Sequence, residues 1–535
     1  MAFYDPERKQ WQGKTQPSIL NPEANIGQIV WNLLSRAPDK VIQINADEDS
    51  YMTCAEMKRR IVRIAMNLQS MGCSRGDIVS LVCTNGENVV PIYVGCLTIG
   101  LVVNSLAPVF NKDDLAHMMR QTQSRVVFCD KENREIVEQA AGEAIAKKPM
   151  IFVTGNSVGE ALSVDVLLRS VKGEEQFVPK YLGDSRKLLA IILCSSGTTG
   201  LPKGVCLSHA HLIENDMFAE QLNAGPIFNF SALFWATGMF AVLTSLYYQR
   251  PRVITRKPFN EEIVIDAIEK YKVEDIFTPP SYIALLVNHP RFAKADFSSV
   301  KRWTMGGAIV SEELRVKLAN RLPYGKTKSV YGTSEIGIVT AADTPCVPGA
   351  VGTLVSNLEA KIVDECDRRL GPMEKGEIRL KFKHKILGYL NNEQATKEAF
   401  DAEDFFKTGD IGYFDQHGQL FVIDRIKDII KYNNYQVSPS DLESVIEKID
   451  GVKQVCVTGV PLQDKTSDLV TAVVVRKQES TLTEEQLLEA VNNQVSDYKQ
   501  IRGGVYFVDR LPTSAAGKVL RRAVKEMVIY RVGVK

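Results

Sequence analysis

Between Val41 and Thr154, short apolar runs alternate with segments of helical period. Val41 to Asn45, Asp77 to Cys83, Arg125 to Asp130 and Ile151 to Thr154 read as strands. The helices between them carry their own signals. Thr53-Cys-Ala-Glu56 has capping-box spacing and opens a helix with Met57, Ile61, Ile64, Ala65 and Leu68 on one face, ended by Gly72. Asn111 caps another helix that reaches about Gln123, and Lys131 to Ala146 forms a third; ahead of them, Asn25 to Arg36 is a helix stopped by Pro38. The alternation resumes with a helix at Glu261 to Tyr271 and a strand at Asp275 to Thr278. Strand–helix repeats of this spacing call for an α/β fold with mostly parallel, βα-layered sheets. Such sheets collect ligands at the carboxyl ends of their strands.

At 535 residues the chain is too long for one core and divides into at least two domains. Asn88 to Asn111 carries no charge and is long enough to span a bilayer. Pro91, Gly95, Gly100 and Asn104 interrupt it, so it reads as a buried helix followed by a buried strand at Val102-Val103, with no transmembrane segment. A net charge of +1 excludes nucleic acid as the main partner. The ten cysteines form no CxxC or Cys/His cluster, which argues against structural zinc and for a reducing compartment. The expected location is the cytoplasm. Val532-Gly-Val-Lys535 is not a Ser-Lys-Leu peroxisomal address, although import by another route stays open.

The apolar strand Leu188 to Cys194 runs into Ser195-Ser-Gly-Thr-Thr-Gly-Leu-Pro-Lys-Gly-Val205. Those eleven residues offer four hydroxyls, three glycines and one lysine. Glycines allow backbone N–H groups to converge on one anion. Ser195, Ser196, Thr198 and Thr199 can donate to phosphate oxygens, Gly197 and Gly200 supply the turns, and Lys203 brings positive charge. The spacing is not that of a Walker A loop, because Lys203 is followed by Gly204 rather than Ser or Thr. Two more loops follow strand-like runs, Trp303-Thr-Met-Gly-Gly-Ala308 and Ser329-Val-Tyr-Gly-Thr-Ser-Glu335. Each places glycine and polar groups where a nucleotide could be held.

Past the strand Gln419 to Ile423 the pattern changes. Asp424-Arg-Ile-Lys427 reads as a short charged connection. Ser438 then caps a helix to Ile449 with Pro439 at its first position. Strands at Val452 to Val457 and Leu469 to Arg476, a helix at Thr483 to Val495, a strand at Val505 to Val508 and a basic helix at Lys518 to Val528 complete a small α+β unit. The expected domains are 1–424 and 425–535, with a hinge near 424–427.

The phosphate cradle, Tyr331-Gly-Thr-Ser-Glu335, Thr408-Gly-Asp410, Asp424-Arg425 through Ser438, and Ser514-Ala-Ala-Gly-Lys518 occur in this order along nearly the whole chain. Together they resemble the adenylate-forming superfamily of acyl-CoA synthetases, coumarate–CoA ligases and firefly luciferase. The resemblance implies ATP-dependent activation of a carboxylic acid to an acyl-adenylate, followed by transfer to CoA. It places ATP on Ser195 to Gly200, Lys203, Gly307, Ala308, Ser329, Val330, Tyr331, Gly332, Ser334, Asp410, Arg425 and Lys431, with the Asp410 carboxylate on the ribose and Tyr331 against adenine. Glu335 matches the Mg²⁺ ligand. Lys518 matches the lysine that bridges the attacking carboxylate and the α-phosphate, and Lys427 the hinge about which the small domain turns. Trp235 matches a gate beside the acid, in a pocket with Thr237, Gly306 and Ile338. The hairpin face Lys431-Tyr-Asn-Asn434 would close the site for the second step, with Asn433 and Asn434 near CoA.

Several positions depart from that pattern. Asn433-Asn434 stands where many relatives have Lys-Gly, which removes a phosphate contact for CoA. Lys328-Ser329 stands where luciferases have Arg-Gln, and Ile338 where they have serine, which disfavours light emission. The rival readings keep adenylation with O₂ or a carrier-protein thiol as acceptor, or reduce the chain to a non-catalytic acyl or nucleotide binder. Neither the acid nor the oligomeric state is legible in the sequence.

Overall fold

The computed structural model describes all residues except 1–2, 19, 22, 155–161, 196–202, 215–223, 309, 311, 344–346, 433–434, 463–466, 514–517 and 534–535. Three sheets make the larger lobe. In the first, strands Leu189–Ser195, Val102–Ser105, Ile78–Val82, Val126–Asp130, Met150–Thr154 and Leu162–Ser163 run parallel. Strand Lys203–Ser208 then returns antiparallel to Leu189–Ser195 and is itself capped by Gly388–Tyr389. The second sheet has a parallel centre formed by strands Val41–Asn45, Arg252–Ile254, Ile227–Asn229, Asp275–Thr278, Arg302–Gly306 and Thr327–Thr333. Antiparallel strands flank that centre on both sides.

The main core lies between these two sheets, where helices Ile26–Arg36, Cys54–Ser70, Val89–Thr98 and Ala236–Tyr247 pack against one another. All ten residues of Val89–Thr98 are buried, which accounts for the uncharged stretch. Among the described residues no helix is long and apolar enough to cross a membrane. The capping box falls elsewhere than expected. Thr53 accepts the Glu56 N–H without the reciprocal bond, whereas Asn25 and Gln28 make both halves at the preceding helix.

The third sheet was not anticipated from the sequence. Strands Phe3–Asp5, Gln10–Gln12, Leu358–Val363, Gly376–Phe382, Phe406–Phe414 and Leu420–Arg425 form an antiparallel meander around Trp11, Leu380 and Phe414. Asp424 and Arg425 therefore end a strand rather than begin a charged connection. Ladder pairing to Asp410 and Ile411 holds them in place.

The smaller C-terminal lobe has a three-stranded sheet, Val452–Pro461, Asp468–Arg476 and Val505–Phe507, with helices Pro439–Ile446, Glu484–Asn492 and Arg521–Gly533. The last helix starts at Arg521, so Lys518 precedes it instead of opening it. Asp424 of the large lobe accepts from Ser438 Oγ at 2.9 Å and from the Ser440 N–H at 3.1 Å. Ser438 in turn caps helix Pro439–Ile446 through the Asp441 N–H. One buried carboxylate thus joins the end of a large-lobe strand to the first turn of a small-lobe helix, where a negative charge is favoured.

Candidate active site

The site is built from strand ends. Leu189–Ser195 and Lys203–Ser208 form a hairpin in which Ser195 and Lys203 are cross-strand partners. Residues 196–200 of the expected cradle lie outside the described residues, as does the side chain of Ser195. The Lys203 ammonium is 5.5 Å from the centre of the Tyr389 ring. Tyr389, paired with Val205 at the sheet edge, donates its hydroxyl to Glu335 Oε1 at 3.0 Å. Burial raises the Glu335 carboxyl pKa, and the Tyr389 bond opposes the shift. Sequence reasoning missed Tyr389. No local pattern marks it, since Gly388-Tyr389 joins the other motifs only by pairing at the sheet edge.

Glu335 suits a divalent cation. It is a nearly buried carboxylate, with one oxygen oriented by the hydroxyl of Tyr389, whose ring also meets Lys203. Among the described residues no group of three or more His, Cys, Asp or Glu could hold a metal alone, so a cation here would need substrate oxygens as well.

The second cluster is centred on Asp410, which is 3% exposed. Tyr331 Oη donates to Asp410 Oδ2 at 2.6 Å, and Arg425 Nε lies 3.2 Å from Oδ1. Among the described residues each carboxylate oxygen has one of these two partners, and a second lone pair on each can accept a ligand hydroxyl. Burial first, and the Asp410 charge second, push the Tyr331 phenol well above its ordinary pKa, so it stays a donor. Strand Thr327–Thr333 carries Ser329, Val330, Tyr331 and Gly332; Ser334 and Glu335 lie in the turn beyond it. Val330 is the register partner of Gly306.

The two glycines at 306–307 have different reasons. A Cβ on Gly306 would meet Val330 Cγ2 at 2.6 Å, so this glycine permits close strand packing rather than ligand approach. Gly307 has φ +91° and open space where a Cβ would stand, leaving its backbone and that of Ala308 bare to the cleft.

Lys518 comes from the small lobe. Its side chain is solvent-accessible, and the ammonium loses part of its hydration to the protein around it. That loss of hydration, followed by Arg425, lowers its pKa to about 8, with Lys427 acting in the same sense and Asp410 and Asp428 opposing. Lys518, from the small lobe, thus feels the charges of Arg425 and Asp410 on the large-lobe strands. Lys427 is lowered too, by desolvation and then by Arg425. Lys431 is exposed on the hairpin Ile430–Tyr432/Tyr435–Val437, and no hydrogen bond or ion pair joins it to the Asp410 group among the described residues. Asn433 and Asn434, at that hairpin's tip, lie outside the described residues.

A cavity of about 30 Å³ lies at the strand ends near Trp235, walled chiefly by Phe230, Phe234, Trp235, Phe277, Pro279 and Tyr282. Of the expected acid-pocket residues, Trp235 lines it directly. Thr237 bonds the lining residue Ser231 at 2.9 Å. Gly306 lies behind Phe277, and Ile338 is buried opposite Gly332 in the neighbouring strand.

A family model described as "AMP-binding enzyme" matches residues 31–390, and one described as "AMP-binding enzyme C-terminal domain" matches residues 441–518. The chain belongs to the AMP-binding enzyme family. This AMP-binding enzyme is 30% identical to the "Probable 4-coumarate–CoA ligase 3" of Dictyostelium discoideum, over 95% of this chain and 96% of that protein. It is 30% identical to the luciferin 4-monooxygenase of Photinus pyralis, over 92% of each. The ATP-bound structure of MatB from Rhodopseudomonas palustris shares its fold, with a TM-score of 0.84 at 24% identity over 94% of this chain and 99% of that one. The AMP-binding enzyme is therefore an adenylate-forming, acid-activating ligase, the kind of protein that its motifs resembled.

Proposed function

We propose that this enzyme joins an aromatic carboxylic acid to coenzyme A through an acyl-adenylate. ATP lies with its triphosphate over the Ser195–Lys203 hairpin mouth, its ribose on Asp410 and its adenine between the bare 307–308 backbone and Tyr331. The acid enters beside Trp235, and its carboxylate oxygen attacks the α-phosphorus as the bond to pyrophosphate breaks. Lys203 steadies the leaving group. Lys518 sits beside the oxygens where charge builds, so its help is greater in the transition state than before it. Glu335 and the triphosphate oxygens would hold Mg²⁺, which spreads the developing charge. In the second step the thiol attacks the acyl carbon and AMP departs. The small lobe, bounded near 424–427, turns about Lys427 between the two steps.

What supports this reading is the contact of Tyr331 and Arg425 with Asp410, together with the influence of Arg425 and Asp410 on the charge of Lys518 from the other lobe. The choice of acid rests on the character of the walls around Trp235, since a cavity of about 30 Å³ must widen to admit a ring. Its walls are mostly aromatic, with Tyr282 stacked on Phe259 at 3.9 Å and Phe230 edge-on to both. Planar rings gain most from such walls. AMP and pyrophosphate release, measured across aromatic and aliphatic acids with and without CoA, tests the proposal. Aromatic acids should lead, and acyl-CoA should form only with CoA present. Turnover confined to long aliphatic acids overturns the aromatic assignment.

A further inference from the structure

Lys518 is fixed from behind. Thr513 and Val519 form an antiparallel bridge, and the Leu520 N–H donates to Pro512 O at 2.8 Å, so the segment carrying Lys518 leaves and returns at one place. One residue beyond Leu520 stands Arg521, whose guanidinium is mostly buried. Its Nη1 donates to Glu443 Oε1 at 2.5 Å and its Nη2 to Glu443 Oε2 at 3.1 Å, a two-pronged contact. Nη1 also donates to the carbonyl of Val457, and the Val457 N–H donates back to Glu443 Oε1 at 2.8 Å. On its other side, Arg521 Nε lies 4.0 Å from Asp428, one of the two carboxylates that oppose the loss of charge on Lys518.

A single side chain therefore binds helix Pro439–Ile446, strand Val452–Pro461 and the turn that follows Arg425. We propose that Arg521, acting through Glu443 and Asp428, is a positioning residue that sets where the Lys518 ammonium stands during adenylation. The inference rests on the role given to Lys518 above and adds what aims it. A guanidinium is needed because the planar fork meets both oxygens of Glu443 at once, which a lysine cannot do. A misplacement of about 1 Å at such a group costs on the order of 10²-fold in rate.

Three variants test it: Arg521→Ala, Arg521→Lys and Glu443→Gln. Each is followed by acid-dependent pyrophosphate exchange, by thiolysis of supplied acyl-AMP, and by thermal unfolding. The pH dependence of Lys518 acylation by a small amine-reactive reagent is read by mass spectrometry. The expected result is a fall in exchange of about 10²-fold in Arg521→Ala, less in Glu443→Gln, with thiolysis and the KM for ATP nearly unchanged. The titration of Lys518 should move upward in pH as the ammonium swings into water. Arg521→Lys, which keeps charge and bulk, should stay folded and still lose exchange. If Arg521→Lys exchanges at the wild-type rate with an unmoved Lys518 titration, the proposal is overturned. It is equally overturned if exchange, thiolysis and thermal stability all fall together, since Arg521 then only supports the small lobe. A shifted Lys518 titration with normal exchange upholds the positioning role and instead removes Lys518 from the adenylation step.

Discussion

The Tyr331 hydroxyl donates to Asp410 across 2.6 Å, so the residue expected to face adenine and the residue expected to hold ribose are bonded to each other. In the proposed complex Tyr331 acts at both ends: its ring flanks the base and its hydroxyl aims the carboxylate. A hydrogen bond to a charged group contributes about 1.5–3 kcal/mol, and its loss costs roughly ten- to a hundred-fold. Tyr331→Phe should therefore lower kcat/KM for ATP by about tenfold or more, with the KM for the acid unmoved. Initial rates at varied ATP check this.

Lys518 gives the enzyme a pH limb. Loss of hydration pushes its ammonium down to about 8, and in the proposed mechanism only the charged form assists the attack. kcat/KM for ATP, which reports the free enzyme, should be full below that value and fall as pH rises through it. A bound triphosphate favours the ammonium, so the limb in kcat should lie higher. Lys518→Arg keeps its charge throughout and should lose the limb. Lys518→Ala should cut adenylation by roughly 10²–10³-fold, the scale for one lost electrostatic donor, and spare thiolysis of supplied acyl-AMP.

Lys427 carries a conformational prediction. It follows the last strand of the large lobe by two residues and lies ahead of the hairpin Ile430–Tyr432/Tyr435–Val437. Proline there fixes φ. Lys427→Pro should leave pyrophosphate exchange intact and block acyl-CoA formation. An unchanged overall rate would refute the hinge.

In the proposed site Trp235 sets the room for the acid. The cavity that it lines is about 30 Å³, close to the space one water needs. Trp235→Ala should raise kcat/KM for bulkier acids relative to small ones. Large-to-small changes of a buried aromatic cost about 3–5 kcal/mol, and the half-buried Trp235 should sit at the lower end. Substrate profiles and thermal unfolding check both effects.

Most of the parallel strands were legible because each is a short apolar run closed by turn residues, and the motifs because glycine, hydroxyl and charge recur at strand ends; Ile227–Asn229 and Arg252–Ile254, three residues each, were missed. The antiparallel sheet was not. Its partners, Gln10–Gln12 and Leu358–Val363, lie far apart in the chain, and no local pattern announces that pairing. Tyr389 was missed for a similar reason: its contacts with Glu335 and Lys203 exist only once the edge strand is laid beside Val205. Gly306 was read as a ligand-facing glycine, but Val330 crowds it. Sequence marks that a glycine is needed without saying which neighbour demands it.

Ser195 and Lys203 stand opposite each other on one hairpin, so the base of the proposed phosphate end takes its width from a ladder of backbone bonds. The acid end is walled by side chains from other strands and helices. Selection can therefore remodel what the enzyme activates, residue by residue around Trp235, while the grip on the nucleotide stays as it is.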